Sequence, residues 1–157
     1  MLPGFTFDLY LIAKALIAAA VRGLDVTSVL DFSHALGGST TWMVDRLSEM
    51  RTGGVKVLLS SGVSGDSGIQ HSKTVLCDEY VIIGSCNWTY ASRANQEIDV
   101  LLALNEVGLA AYDEHLKYIK EHSLAFNDEM EREGRESRKE RAAAKERDQE
   151  SARLPRR

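Results

Sequence analysis

The sequence lacks three features that would define its class directly. Its two cysteines, Cys77 and Cys86, are too few for a disulfide framework, and their spacing is not that of metal ligands. No stretch approaches the ~18 uncharged apolar residues of a membrane span. Positive charge is also scarce, because residues 1–127 hold 9 Lys or Arg against 14 Asp or Glu, a net charge of −5. We therefore expect an intracellular rather than a secreted protein, without the basic surface of a dedicated nucleic-acid binder.

The most apolar stretch, LYLIAKALIAAAV (9–21), does not read as a signal peptide. It contains Lys14, has no basic segment before it, and is not followed by a cleavage site of small residues. Its apolar residues instead recur at the i, i+3, i+4, i+7 spacing of an amphipathic helix. We predict a helix here, with one face on the core.

Helices and strands alternate along most of the remaining chain. The pattern predicts a strand over 26–30, a helix from Ser39 or Thr40 to about Arg51, and a strand over 55–60. Further strands are predicted at 69–77, 80–86 and 98–104, followed by a helix over 106–122. This alternation predicts an α/β fold with a mixed sheet and helices on both of its faces.

The end of the chain differs in composition from the rest. Residues 1–124 form the predicted folded domain, whereas residues 125–157 are mostly charged residues and alanine. Because this segment has no apolar stripe, we expect a charged tail that is helical or disordered and solvated. Its basic residues allow weak contact with an anionic membrane surface.

The segment GIQHSKTVLCDEYVIIGSCNWT (68–89) places polar residues at regular intervals inside two short strands. Side chains on a strand alternate between faces, so His71 and Lys73 share one face, as do Ser85 and Asn87 on the next strand. A hairpin that closes near residues 78–79 brings the two pairs together. We therefore predict that these four side chains converge on one site.

These residue types suit phosphodiester cleavage without a metal or another cofactor. A neutral imidazole is a competent nucleophile when a carboxylate holds its other ring N–H, and His71 with Glu97 fits these two roles. Lys73, Ser85 and Asn87 supply donors for the non-bridging oxygens of the phosphoryl group. Lys73 acts there as a point charge, and Asn87 as a directional donor.

The same residues carry a resemblance to a known family. The pattern resembles the signature of the phospholipase D superfamily: His71-x-Lys73-x4-Asp78, then Gly84-Ser85-x-Asn87. The stretch GSCNWT and the later Asn95-x-Glu97 look more like small members with one signature, which include bacterial endonucleases and mitochondrial cardiolipin hydrolases. The resemblance covers roughly residues 8 to 122, and the tail has no counterpart in it.

The resemblance implies a mechanism and a partner. It implies a covalent phosphohistidine on His71, phosphate binding by Lys73 and Asn87, and an acidic residue at Glu97 that orients His71. It also implies two signatures per active site, so a chain with one signature would form a homodimer around a two-fold axis. A mitochondrial location is a further option that the resemblance suggests.

The substrate stays open at this point. A phospholipid such as cardiolipin is favoured by the motif context and by the acidic body of the chain. A nuclease acting on DNA or RNA is favoured by GSCNWT and disfavoured by the scarcity of basic residues. A third alternative is an inactive phospholipase D-like module that dimerises or binds a partner.

Three departures from the family pattern affect the expected geometry. Five residues separate Asp78 from Gly84, where the family usually has six. The missing residue predicts either a shorter turn or a shift by one position along the strand, which would point Ser85 and Asn87 to the opposite face. Asp78 is an odd number of residues from His71, so we assign it to the turn as a structural residue, like Gly84. The strand, helix and strand that family members carry before residue 8 are missing, and we expect an N-terminally incomplete domain.

The remaining candidates have simpler interpretations. His34, His115 and His122 are expected to have no role in the site, and Arg93 is expected to be a solvated charge. Trp88 is expected in the core or at an interface. Both cysteines are expected to be small buried strand residues.

Overall fold

The described part of the chain, residues 2–4, 7–37, 42–62 and 68–153 of the computed structural model, alternates between strands and helices as predicted. The first half contains β1 (Leu2–Gly4), α1 (Tyr10–Val21), β2 (Thr27–Asp31), α2 (Phe32–Leu36), α3 (Met43–Thr52) and β3 (Lys56–Ser60). The second half contains β4 (Thr74–Cys77), β5 (Tyr80–Gly84), β6 (Asp99–Ala103), α4 (Glu106–Glu121), β7 (Ser123–Ala125) and α5 (Asp128–Arg153). The fold class is therefore the predicted α/β.

One sheet has the strand order β1-β2-β3-β7. β1, β2 and β3 run parallel, and β7 pairs antiparallel with β3, so this sheet is mixed as expected. All of β2 is buried, as is typical of a central parallel strand. Asp31 pairs in register with Ser60, so the carboxyl ends of β2 and β3 lie at the same edge of the sheet.

The other sheet is an antiparallel meander with the order β4-β5-β6. β1 lies beside β4, and Phe7 forms an isolated bridge with Trp88 just after β5. The carbonyl of Trp88 also accepts hydrogen bonds from the N–H groups of Asp8 and Leu9. The two sheets are thus joined along this seam, which brings the hairpin of the signature next to the parallel strands.

The core lies between the first sheet and the helices that pack on it. In α3 the buried residues Met43, Val44, Leu47 and Met50 fall on one face, at the spacing of an amphipathic helix. They pack in one cluster with Phe7, Leu30 and Leu59, and α1 packs against α3. The helix predicted at 9–21 is confirmed as α1.

Several predicted bounds change in the structure. The strand predicted at 69–77 begins only at Thr74, and the preceding residues 68–73 are irregular. β1 and β7 were not predicted, because a strand of three residues is too short to show a periodic pattern. β1 also means that a strand does precede the first helix. The helix cap predicted at Ser39 or Thr40 lies outside the described residues.

The charged C-terminal segment is a helix, and its first half is docked rather than solvated. α5 packs on α2 and α3. Gly134 is buried at this contact, where a Cβ would lie 2.5 Å from the side chain of Val44. Asp45 of α3 forms ion pairs with Arg135 at 2.6 Å and with Arg138 at 2.7 Å. The expectation of a solvated tail was wrong here, because a glycine and ion pairs make the contact instead of an apolar stripe.

The proposed division of the chain at residue 124 stays a prediction. β7 ends at Ala125, and the buried Phe126 that follows belongs to the core cluster.

No helix in the described ranges is both long and apolar enough to cross a membrane.

Candidate active site

The hairpin of the signature closes where it was predicted to close. Cys77 pairs with Tyr80, so the turn consists of Asp78 and Glu79. Asp78 has a φ of 53°, in the left-handed region that Asp and Asn tolerate better than most residues. The position of Asp78 in the turn is therefore confirmed, and its backbone conformation gives a structural reason for the residue type.

The short spacing between Asp78 and Gly84 is accommodated within a regular ladder. The register continues from the turn to a last hydrogen bond, in which Gly84 N–H donates to the carbonyl of Lys73 at 3.2 Å. In a continued ladder Lys73 and Ser85 would face opposite sides of the sheet. Both strands leave the ladder at this point, however, so strand parity does not decide where Ser85 and Asn87 lie.

His71 and Lys73 lie in the irregular segment 68–73 and do not share a strand face. Gln70 N–H donates to Asp31 Oδ2 at 2.9 Å, which takes the backbone away from a strand path. His71 is exposed, whereas Lys73 is only 7% exposed, and Lys73 Nζ donates to the backbone carbonyl of His71 at 2.6 Å. The two residues are thus brought together by this hydrogen bond, and the predicted strand geometry was wrong for both.

Ser85, Asn95 and Glu97 form one hydrogen-bonded group. Ser85 Oγ donates to Glu97 Oε2, and Asn95 Nδ2 donates to Glu97 Oε1 at 3.0 Å. Ile98 N–H in turn donates to Ser85 Oγ at 3.1 Å. The hydrogen bond from Ser85, followed by that from Asn95, lowers the pKa of Glu97, so this carboxylate is ionised and held by two donors. The contact of Glu97 with His71 that the resemblance implies stays a prediction.

Gly84 is required by the close approach of β6. A Cβ at this position would lie 1.7 Å from Asp99 Oδ1 and 2.6 Å from the carbonyl oxygen of Ile98. Asp99 Oδ1 accepts a hydrogen bond from Cys86 N–H at 3.3 Å, which fixes the backbone beside Ser85. Asn87 follows, and its Oδ1 is buried without a hydrogen-bond partner in the described ranges. Gly84 therefore positions the polar residues of the signature without contributing a side chain.

The surroundings of His71 lower its pKa and so favour the neutral imidazole. Burial has the largest effect in lowering the pKa of His71, and the charges of Lys73 and His34 lower it further, whereas Asp31 acts in the opposite direction. Burial also lowers the pKa of Lys73, and the charge of Glu97 partly offsets this. Lys73 is thus linked to both sides of the site, by a hydrogen bond to His71 and by electrostatic attraction to Glu97.

Comparison with known proteins identifies the family. Residues 4–121 match the family model described as "Cardiolipin synthase, PLD-like domain". The chain belongs to the phospholipase D-like family. The comparison with curated proteins gives no significant match.

Three solved structures are similar to this chain in fold. Nuc from Salmonella typhimurium, described as a phospholipase D family member, is 24% identical, with a TM-score of 0.71 over 81% of this chain and 80% of that chain. NucT from Helicobacter pylori is also 24% identical, with a TM-score of 0.66 over 80% of each chain. TrmBL2, described as an archaeal chromatin protein with a novel mode of DNA binding, is 17% identical, with a TM-score of 0.51 over 80% of this chain and 44% of that chain.

Asp31 is a residue of this phospholipase D-like site that sequence reasoning missed. It is fully buried at the carboxyl end of β2. Its Oδ1 accepts from Ser33 Oγ at 2.6 Å and from His34 N–H at 2.9 Å, and its Oδ2 accepts from Gln70 N–H. Burial alone would raise the pKa of Asp31, but these hydrogen bonds outweigh burial and lower it. The signal that could have found it is a polar residue that ends a buried parallel strand.

The other candidates are mostly as expected. His115 and His122 are exposed on and after α4, Arg93 is exposed, and Trp88 packs against the core cluster. Cys77 is exposed, contrary to the prediction of a buried residue, because it adjoins the turn.

No group of three or more His, Cys, Asp or Glu side chains that could hold a metal ion occurs among the residues the structure describes.

The replacement Gly84→Ala should destabilise the protein by about 2 kcal/mol, because a Cβ overlaps Asp99 and the backbone of Ile98. Urea denaturation measures the change in the free energy of unfolding. Gly108→Ala is the matched control, because its nearest neighbouring atoms lie 3.4 Å or more from a Cβ, so that variant should be at least as stable as the wild type. If Gly84→Ala were as stable as the wild type, the predicted overlap between a Cβ at position 84 and β6 would be contradicted.

The imidazole of His71 should titrate below its ordinary pKa of 6.5, because burial and the charge of Lys73 both disfavour the protonated ring. NMR of the His71 ring carbon as a function of pH measures the midpoint. Lys73→Gln should raise this midpoint, whereas Lys117→Gln, which removes an exposed charge on α4, should leave it unchanged. A wild-type midpoint at or above 6.5 would contradict the assignment.

Proposed function

We propose that this phospholipase D-like chain is a metal-independent phosphodiesterase that forms a covalent phosphohistidine on His71. The observation that supports this most directly is the position of Lys73. It is buried, it is hydrogen-bonded to the backbone of His71, and it lies within the field of Glu97. A cation placed beside a neutral imidazole suits a reaction in which the imidazole attacks a negatively charged phosphoryl group.

The proposed reaction has two steps. In the first step an imidazole nitrogen of His71 attacks phosphorus, the bond to the leaving oxygen breaks, and a phosphohistidine forms. In the second step water attacks phosphorus and the bond to His71 breaks, which releases the phosphate monoester. Lys73 and Asn87 bind the non-bridging oxygens. Ser85 donates to Glu97 in this structure, so its hydroxyl must turn from that carboxylate to bind phosphate as well.

The second imidazole of such a site is proposed to come from a second copy of the chain. The chain carries one signature, and an isologous dimer places two copies of the same residues around its two-fold axis. In this arrangement the partner copy protonates the leaving oxygen in the first step and takes a proton from water in the second step.

The substrate that the chain supports best is a phospholipid such as cardiolipin. The family description names cardiolipin synthase, and residues 1–127 carry a net charge of −5, which disfavours a polyanion. Apolar surface also adjoins the site, since Ile98 directly follows Glu97 and is 78% exposed, and all residues of β6 are exposed. Exposed apolar patches of this kind are typical of membrane or protein contacts.

Hydrolysis of bis(p-nitrophenyl) phosphate in excess EDTA tests the activity. The wild type should turn over, and His71→Ala should lose essentially all turnover, since no other group replaces the nucleophile. His115→Ala, an exposed histidine of α4, is the matched control and should retain full activity. Specific activity should also fall on dilution if a dimer forms the site.

Two results of this experiment would contradict the proposal. Full activity in His71→Ala would exclude the phosphohistidine. An inactive wild type that remains dimeric in analytical ultracentrifugation would favour the binding module, and specific activity independent of concentration in a monomeric protein would exclude the shared site.

Separate assays with a lipid and with a nucleic acid distinguish the phospholipase hypothesis from the nuclease hypothesis. Vesicles that contain cardiolipin should release phosphatidate in the presence of the wild type, and single-stranded DNA or RNA should stay intact. Raising the salt concentration should leave lipid turnover nearly unchanged, because few phosphate contacts release counterions. Cleavage of a nucleic acid that weakens steeply with salt would instead identify a nuclease.

A further inference from the structure

His34 lies at the same edge of the sheet as His71, although the signature does not include it. β2 and β3 are parallel and end in register at Asp31 and Ser60. α2 begins directly after β2, so His34 stands over this edge. The segment 68–73 is tied to the same edge by the hydrogen bond from Gln70 N–H to Asp31. Open α/β sheets bind ligands in the crevice outside the carboxyl ends of their strands.

Asp31 orients the imidazole of His34. The Nδ1 atom of His34 lies 3.2 Å from Asp31 Oδ1, and an ionised carboxylate can only accept hydrogen bonds. Nδ1 must therefore carry the hydrogen, and Nε2 lies on the other side of the ring. The His34 side chain is 31% exposed, whereas that of Asp31 is 1% exposed. A buried carboxylate thus holds a ring that reaches the surface at the edge of the site.

The charged groups that surround His34 connect it to the proposed nucleophile. The charge of His34 acts on His71, as does that of Lys73, so these three residues lie within one electrostatic neighbourhood. Asp31 faces His34 from β2, and Arg141 of α5 lies near Gly37 at the far end of α2. His34, His71 and Lys73, which can carry positive charge, therefore lie near one another and near the buried carboxylate of Asp31.

We propose that His34 is a phosphate-binding residue of this site, supplied by α2 and oriented by Asp31. When protonated, its Nε2–H donates a charge-assisted hydrogen bond to a non-bridging oxygen of a tetrahedral oxyanion. Its part in catalysis rests on the proposed function, and it adds to Lys73 and Asn87 a contact that the signature does not contain. The ligand class is a phosphate ester, or an inorganic anion of the same shape.

Binding of inorganic sulfate to the full chain tests the proposal, because sulfate is tetrahedral and keeps its charge over the pH range in which imidazoles titrate. Calorimetric titration should show that His34→Gln binds sulfate on the order of tenfold more weakly than the wild type. His34→Arg keeps a cationic donor and should retain most of the affinity.

Two further variants separate a contact with the anion from a structural effect. Ser33→Ala removes another hydrogen bond to Asp31 Oδ1 but leaves the imidazole, so its sulfate affinity should stay within about twofold of the wild type. His115→Gln, on α4, should leave the affinity unchanged. Equal weakening in Ser33→Ala and His34→Gln would overturn the proposal, as would failure of the wild type to bind sulfate.

The outcomes also separate this proposal from the proposed function. Diester hydrolysis that depends on His71, with unchanged sulfate binding in His34→Gln, would overturn the role of His34 and leave the phosphodiesterase intact. Sulfate binding that depends on His34, in a protein that hydrolyses no diester, would support the anion site and contradict the phosphodiesterase.

Discussion

The carboxylate of Asp31 is the interaction on which the arrangement of the site depends. One oxygen accepts from Ser33 and His34, and the other accepts from the backbone of Gln70. A buried carboxylate that lost these donors would be left unsatisfied, which costs about 1–3 kcal/mol per lost donor. The group therefore fixes three parts of the chain at once: the end of β2, the start of α2 and the segment that carries His71 and Lys73.

Lys73 and Glu97 extend this arrangement from the parallel sheet to the meander. Lys73 is buried and would be costly there without compensation, since burial disfavours its charged form. The carbonyl of His71 and the charge of Glu97 supply that compensation, and Glu97 is itself held by Ser85 and Asn95. Burial of one cation thus draws the two halves of the signature together after the regular ladder has ended.

Most of the fold could be predicted from the sequence, because its long elements carry strong periodic patterns. α1, β2, β3 and α4 all fall within a few residues of their predicted bounds. The turn at Asp78 was also predictable, since local turn chemistry determines it. The hairpin could be inferred because its two strands lie close together in sequence.

The elements that escaped prediction depend on contacts distant in sequence. The strand predicted to start at residue 69 starts only at Thr74, because the backbone N–H of Gln70 donates a hydrogen bond to Asp31, about forty residues earlier in the chain. The docking of α5 was missed because Gly134 allows the helix to approach Val44 and because arginines reach Asp45. Neither feature has a local periodicity, so no pattern in a short window indicates it.

The close fit between Gly84 and Asp99 has a consequence for the interpretation of related sequences. The signature combines residues that satisfy two separate requirements. Gly84 is needed to admit β6, and Asp78 suits the left-handed backbone of the turn, so a relative without catalytic activity would still have a structural reason to keep both. Only the positions whose side chains reach the carboxyl edge of the sheet distinguish a working site from an empty one. A relative that keeps the glycine but replaces the histidine has therefore kept the architecture, and its glycine says nothing about turnover.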